Sequence, residues 1–196
     1  MNDKKIPANP QKIQLRDTVS SDTAGFFSRL ADSAASLMNN NVAYDPGYYQ
    51  LSYPNGDVPS NKGACCDVIV RAYRKMGIDL QKEVHEDMSK NFKQYPQKWG
   101  ELTTNKSIDN RRVPNLMRFF ERQNAMLPIT QNGTDYKPGD VIFWELSNQP
   151  HVGMVVKQKS MDGSHNLIIH LIGSGQAIAD RLFVYKIIGH ARYKKL

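Results

Sequence analysis

The hydrophobic pattern changes its period along the chain, and this change constrains the fold more than any other feature. From residue 21 to about residue 123, apolar residues recur at helical spacing. From residue 141 onward they form short runs that Gly, Asn, Asp and Ser turns separate. Helices followed by short antiparallel strands are typical of the α+β class. The sequence therefore predicts an α+β fold with N-terminal helices packed on a C-terminal antiparallel sheet.

The length of 196 residues suits one domain with its own core. Residues 1–20 are polar and contain Pro7 and Pro10, which predicts a tail or linker, and residues 21–196 form the single predicted domain. Ser21 or Asp22 is the expected cap of the first helix. The remaining elements are predicted as helices at Cys65 to Met76, Leu80 to Phe92 and Asn110 to about Gln123, and strands at Val141 to Leu146, His151 to Lys157, Asn166 to Ile172 and Leu182 to Tyr193.

Charge and hydropathy limit the classes of partner. The chain has 26 Lys and Arg against 19 Asp and Glu, a net charge of +7, which favours polyanions such as nucleic acid, anionic lipid or an acidic cell-wall polymer. The basic residues are scattered, and no RNA-binding aromatic box or Cys/His finger spacing accompanies them, so we expect no nucleic-acid partner. No apolar run approaches the ~20 residues of a membrane helix, so we expect no membrane span.

Cys65 begins the helix with the clearest apolar face. Unpaired N–H groups and the dipole at a helix N-terminus stabilise a thiolate, which is the nucleophilic form of cysteine. Cys66 projects roughly 100° away around the helix, so only one of the two thiols can face a given cleft. The alternative is that both are small buried core residues. Adjacent cysteines rarely bridge, so no structural disulfide is expected.

Two of the five histidines stand in consecutive predicted strands. His151 opens one strand and His170 lies among apolar residues of the next, so antiparallel pairing would bring them together on one face. A thiolate, a histidine base and a third group that orients the base form the general activated nucleophile. The alternative for His170 is a core histidine bonded to a backbone carbonyl. Zinc is a weaker alternative, because no CxxC, HxH or HExxH spacing occurs. We therefore expect neither metal nor cofactor.

Several segments together resemble one bacterial family, labelled domain of unknown function twelve-eighty-seven, which is grouped with the NlpC-type papain-like cysteine peptidases. The resemblance covers Tyr44 to Tyr193. Its motifs are Gly63 to Arg74, Lys137 to Trp144, His151 to Val155, Tyr53 to Pro59, Val84 to Met88, Arg111 to Leu116 and Gly189 to Tyr193. Cys66 departs from the expected Thr, and Leu171 from the commoner Asn.

The resemblance implies a papain-like α+β fold and a cysteine hydrolase. Cys65 would be the nucleophile, His151 the general base and His170 the residue that orients it. The superfamily cleaves amide bonds, typically in peptidoglycan stem peptides. The implied partner is thus a peptidoglycan peptide, and the implied location is periplasmic or secreted. The polar N-terminus shows no signal peptide, and we expect a monomer.

Five residues are candidates for substrate binding. Tyr44, Asp45 and Tyr53 precede the Cys65 helix and would wall the cleft; the alternative is a loop folded back on the core. Arg111 and Arg112 would hold a substrate carboxylate; the alternative is ordinary surface charge.

Two other functions stay open on the sequence. One is a Cys–His amidase or acyltransferase that acts on a non-wall substrate. The other is a non-catalytic wall-binding module with the same fold.

Overall fold

The computed structural model describes the backbone of residues 10–195 and the side chains of residues 23–195. Four helices precede the main sheet: α1 Pro10–Ala35, α2 Cys65–Lys75, α3 Leu80–Asn91 and α4 Val113–Arg122. The strands are β1 Ala43–Tyr44, β2 Lys62–Gly63, β3 Val141–Leu146, β4 Gln149–Lys159, β5 Asn166–Ile172, β6 Gly175–Ala179 and β7 Lys186–Ala191.

Helix α1 is longer than the sequence pattern indicates. It begins at Pro10 rather than at Ser21, so residues 10–20, predicted as part of a polar tail, are helical. Proline suits the first turn of a helix, because its fixed φ is helical and its missing N–H would have no partner there. The first nine residues of the predicted tail lie outside the described residues. The buried side chains of Leu30 and Ala34 pack into the main core.

The main sheet has the strand order β6-β5-β4-β3-β7, and every neighbouring pair is antiparallel. Helices α1, α2 and α4 contact its central strand β4. The predicted α+β class, with the Cys65 helix packed on a C-terminal antiparallel sheet, is confirmed.

The C-terminal strands differ in part from the prediction. Strand β6 was not predicted, and the strand expected from Leu182 to Tyr193 begins only at Lys186. Leu182 precedes this strand and is buried beside Trp144, whose Nε1 donates to the Leu182 carbonyl at 3.0 Å.

An aromatic group joins the helices to the sheet. Tyr73 of α2, Phe119 and Phe120 of α4, Phe143 of β3 and Tyr193 lie with neighbouring ring centroids 5.3–6.2 Å apart. The Tyr73 hydroxyl donates to the Tyr193 carbonyl at 2.9 Å and satisfies the polar end of a fully buried ring. This packing fixes α2 relative to the strands that follow it.

The short parallel pair β1–β2 brings an earlier loop to the start of α2. Tyr44 is opposite Gly63, two residues before Cys65. A side chain at residue 63 would meet Asp67 and Leu171 at 3.3 Å, so glycine permits this close approach. Among the described residues, no helix combines the length and hydropathy required to cross a membrane.

Candidate active site

Cys65 is the first residue of α2, at the end where the helix dipole is positive. Asp67 holds this end in place: its Oδ2 accepts a hydrogen bond from the backbone N–H of Ala64 at 2.6 Å. The first N–H groups of a helix have no partner within it, so this carboxylate satisfies one of them. Cys65 is 7% exposed and Cys66 is fully buried.

Arg111 ties the start of α2 to the loop that follows β1. Its Nε donates to Asp67 Oδ1 at 3.0 Å, while its Nη1 donates to the Gly47 carbonyl at 2.7 Å and its Nη2 to the Asp45 carbonyl at 3.3 Å. The Arg111 side chain is 1% exposed. This geometry gives Arg111 a structural role in the cleft and leaves it no surface for a substrate carboxylate, contrary to the expectation from the sequence.

The two histidines of the β4–β5 hairpin meet as predicted. His151 Nε2 lies 3.0 Å from His170 Nδ1, and both rings are buried. The Cys65 thiol hydrogen-bonds with the His151 side chain. Because Nε2 of His151 is engaged by His170, Nδ1 is the nitrogen left for this contact. The structure thus brings Cys65, His151 and His170 into one group.

Trp144 and Gly153 shape the surroundings of these histidines. Trp144 is opposite His151 in the sheet, and the two ring centroids are 6.0 Å apart. Gly153 is opposite His170; a Cβ there would lie 2.7 Å from Ile168 Cγ2 and 3.2 Å from His170 Cβ. Glycine at position 153 of β4 therefore allows β5 to approach closely enough for the histidine pair to form.

The Cys65 thiol is more acidic than an ordinary cysteine. A hydrogen bond from the Cys66 thiol, hydrogen bonding and charge interaction with His151, and the backbone N–H of Val152 lower the pKa of Cys65 from 9.0 to about 5, against burial, which raises it. The same bond to Cys65, together with burial, raises the pKa of Cys66. Cys65 is thus the thiolate of the pair, and Cys66 is the neutral donor beside it.

His170 is held in its neutral form. Burial, and then the charge of the neighbouring His151, lower the pKa of His170 from 6.5 to about 4. A neutral His170 accepts a hydrogen bond through Nδ1 when its Nε2 carries the proton. It can therefore accept from His151 Nε2 and stabilise His151 when that ring takes up a second proton at Nδ1.

Tyr44 lies beside the thiols, and Asp45 follows it in the chain. Burial, followed by the charges of Cys65 and Cys66, raises the pKa of Tyr44, whose side chain is still 40% exposed. The Asp45 carboxylate accepts from the Tyr49 hydroxyl at 2.7 Å and from Lys62 Nζ at 3.2 Å. Hydrogen bonds from Tyr49, the Gly47 backbone and Lys62 lower the pKa of Asp45 to about 2. Tyr44 is therefore the one of the two whose side chain borders the thiols, whereas the Asp45 carboxylate is engaged by Tyr49 and Lys62.

Tyr53 and Arg112 have other partners. The Tyr53 ring packs edge-on against His85 of α3, with centroids 5.2 Å apart. Arg112 pairs with Glu101 and places its guanidinium 4.1 Å from the centre of the Trp99 ring. The structure gives neither residue a contact with Cys65, His151 or His170.

The remaining histidines have carboxylate partners outside this group. His85 Nδ1 lies 2.8 Å from Asp109. His190 Nε2 lies 2.8 Å from the buried Asp140. Among residues 23–195, no three His, Cys, Asp or Glu side chains are grouped to hold a metal ion.

Three residues of the site were missed on the sequence. Asp67 stands two positions after Cys65, where an acidic residue commonly satisfies a helix N-terminus, and this position was the available signal. Gly153 follows His151 by two residues within a strand, where glycine often marks a close approach. The sequence indicated Trp144 only as an apolar residue of a strand, because its contact with His151 depends on how the two strands align.

Comparisons with known proteins identify the family of this chain. The model of the family described as "Domain of unknown function (DUF1287)" matches residues 31–193. The "Uncharacterized protein YijF" of Escherichia coli (strain K12) is 46% identical over 165 residues, which are 84% of this chain and 80% of that protein.

The solved structure of NlpC1 from Trichomonas vaginalis is also similar, with 16% identity and a TM-score of 0.44. The match covers 85% of this chain and 44% of the solved chain, so it spans less than half of that protein. Since the family model covers most of the chain, this protein belongs to the family of domain of unknown function DUF1287.

Proposed function

We propose that this protein is a cysteine hydrolase that cleaves amide bonds in the stem peptides of bacterial peptidoglycan. The observation that carries the catalytic part is the joint placement of Cys65 at a helix N-terminus, His151 beside it, and His170 Nδ1 3.0 Å from His151 Nε2. The choice of peptidoglycan comes from the resemblance to NlpC-type peptidases, and the basic net charge of +7 suits an anionic wall.

The reaction follows from the charges of these groups. The Cys65 thiolate attacks the amide carbonyl carbon, and the resulting oxyanion accepts hydrogen bonds from N–H groups at the start of α2, including that of Cys65. His151, protonated at Nδ1, gives this proton to the leaving amine as the C–N bond breaks, which leaves a thioester on Cys65. Neutral His151 then takes a proton from water, the hydroxide attacks the thioester, and the carboxylic acid leaves as Cys65 recovers its thiolate.

His170 acts through His151 and does not touch the substrate. Its neutral ring accepts from His151 Nε2, so it holds the imidazole plane in place through both proton transfers. A peptidoglycan substrate places the enzyme in the periplasm or outside the cell, and a cleft formed within one chain is consistent with a working monomer.

Digestion of purified sacculi tests the proposal. Wild type and Cys66→Ala should release the same stem-peptide fragments, identified by mass spectrometry, whereas Cys65→Ala and His151→Ala should release none. Circular dichroism confirms that each variant is folded. If folded wild type releases nothing from sacculi of different cross-link chemistry but cleaves other amides or esters, the substrate is not the wall. If its Cys65 also has an ordinary pKa, the protein is not a hydrolase of this type.

A further inference from the structure

Three exposed aromatic side chains lie on two segments, Tyr44 and Tyr48 at the end of β1 and in the loop after it, and Trp99 on the connection between α3 and α4. Tyr44 is 40% exposed, Tyr48 is 61% exposed and Trp99 is 40% exposed. Large aromatic residues usually bury most of their surface in a folded domain, and exposed clusters of them mark interaction sites. Only Tyr44 borders the thiols, so Tyr48 and Trp99 have no role in the proposed chemistry.

Hydrogen bonds connect these aromatic side chains to the start of the catalytic helix. Arg111, paired with Asp67 of α2, donates to the Gly47 carbonyl, next to Tyr48. The following residue, Arg112, carries Trp99 on its guanidinium at 4.1 Å. The two adjacent arginines therefore hold Tyr48 and Trp99 at fixed positions relative to Cys65. Arg112 covers part of the indole and leaves the rest of Trp99 open.

Two hollows are lined by residues close to Trp99 in the sequence, Lys98 before it and Glu101 after it. One, of about 230 Å³, is lined by Lys98, Pro114 and Pro150, and Pro150 directly precedes His151. The other, of about 540 Å³, is lined by residues that include Glu101 and Asn105. Asn105 Nδ2 lies 3.5 Å from the Tyr48 hydroxyl. One hollow thus connects the segment before Trp99 to Pro150, and the other connects Glu101, the partner of Arg112, to Asn105 and so to Tyr48.

The chemistry of this surface suits a saccharide. Sugar rings present apolar C–H faces that stack on aromatic rings, while their hydroxyl edges require hydrogen-bond partners. Here the two hollows are lined in part by amide, carboxylate, ammonium and hydroxyl groups, which belong to Asn105, Glu101, Lys98 and Thr104. A protein-binding surface would instead show a continuous apolar centre with a polar rim.

We propose that Tyr48 and Trp99, with the polar groups around the two hollows, bind the glycan strand that carries the stem peptide. This inference rests on the proposed function, because it assigns the polymer beside the cleaved peptide. Tyr44, at the end of the surface nearest Cys65, would contact the junction between glycan and peptide. The enzyme would then hold the polymer at two places and cut between the glycan and the remote end of the peptide.

Binding of a peptide-free saccharide tests this assignment. The probe is an N-acetylglucosamine hexamer, titrated by calorimetry into Cys65→Ala protein, which cuts nothing. Tyr48→Ala and Trp99→Ala on this background should each weaken binding about tenfold, the loss expected when one aromatic stacking contact of ~1.4 kcal/mol is removed. Phe183→Ala is the matched control, because Phe183 is 39% exposed but packs against Tyr136 near the β6–β7 connection, and it should bind like the parent.

Tryptophan fluorescence provides a second measurement. The chain has two tryptophans, and Trp144 is 1% exposed, so a saccharide that stacks on Trp99 should change the emission of the parent protein and not that of Trp99→Ala. Equal affinity in all four folded proteins, or no affinity in the parent, would overturn the inference. Binding of the stem peptide alone at these residues would also overturn it.

The two proposals fail separately. Saccharide binding without digestion of sacculi would refute the proposed cleavage of peptidoglycan and leave the glycan-binding surface in place. Digestion of sacculi by a protein that does not bind the saccharide would support the hydrolase and refute the glycan-binding surface.

Discussion

The rate at which Cys65 is alkylated should depend on pH in a way that the surrounding groups determine. With a pKa of about 5, Cys65 is almost entirely thiolate at pH 6. At that pH a thiol of pKa 5 has ~900 times the thiolate fraction of a thiol of pKa 9. Thiolate reactivity falls with pKa with a Brønsted slope of ~0.4–0.5, which lowers this advantage to about 10- to 20-fold over an ordinary cysteine.

The assay follows iodoacetamide modification from pH 3.5 to 10, with the modified peptide identified by mass spectrometry. Wild type should titrate with a midpoint near 5 at Cys65, and Cys66 should not react, because it is buried and its pKa is raised. His151→Ala removes one of the groups that stabilise the thiolate and should move the midpoint upward by about 1–3 units.

Midpoints are compared rather than absolute rates, because partial burial slows access to Cys65 equally at every pH. Cys66→Ala should also raise the midpoint, since the thiol that donates to Cys65 is lost. A wild-type midpoint near 9, or identical curves for wild type and His151→Ala, would refute the reasoning. Rapid alkylation that persists in Cys65→Ala would show that Cys66 is the reactive thiol.

Three further predictions concern stability, each measured by urea unfolding. The pKa of His170 is lower in the folded than in the unfolded protein, so the unfolded state takes up a proton at this residue first as pH falls from 6.5 to 4. Over this range the free energy of unfolding of wild type should fall by about 3 kcal/mol relative to that of His170→Gln. Asp67→Asn removes the negative partner of buried Arg111 and should lower the free energy of unfolding by about 3–5 kcal/mol at pH 7. Gly153→Ala places a methyl group 2.7 Å from Ile168 Cγ2 and should cost about 1–3 kcal/mol.

Each of these has a specific control. For His170 the readout is the difference between wild type and variant at each pH, which cancels the carboxyl groups that titrate in both; parallel stability curves would contradict the assigned pKa. Asp57→Asn alters the ion pairs of a 35% exposed carboxylate with Arg71 and Arg74 and should cost less than Asp67→Asn, whose carboxylate is 4% exposed; equal losses would contradict a structural role for the buried pair. A Gly153→Ala protein as stable as wild type would show that the strands can separate without penalty.

The parts of the fold that were predictable depend on local signals. Helix α2 shows its apolar spacing within eleven residues, and strands β3 and β5 are apolar runs whose bounds match the prediction. The meeting of His151 and His170 was also predictable, because one hairpin joins their strands and pairing along it sets their separation.

The parts that were not predictable depend on distant contacts. Strand β6 consists of Gly, Gln, Ala and Ile residues with weak average strand preference, and its pairing with β5 stabilises it. The position of Arg111 in the sequence gives no sign of burial, since its partners Asp67 and the Gly47 carbonyl belong to much earlier segments. Similarly, Tyr53 precedes the Cys65 helix in sequence, yet its ring packs on α3.

The separation of the nucleophile and its base along the chain has a consequence for biosynthesis. His151 and His170 belong to one hairpin, whereas Cys65 lies far earlier in the sequence and joins them only when α2 packs on the sheet. A nascent or unfolded chain therefore carries an ordinary, largely protonated thiol at neutral pH. The reactive thiolate therefore appears only when α2 has packed against the sheet. Folding itself thus activates the Cys65 thiol, which keeps the reactivity of an ordinary cysteine until the domain has formed.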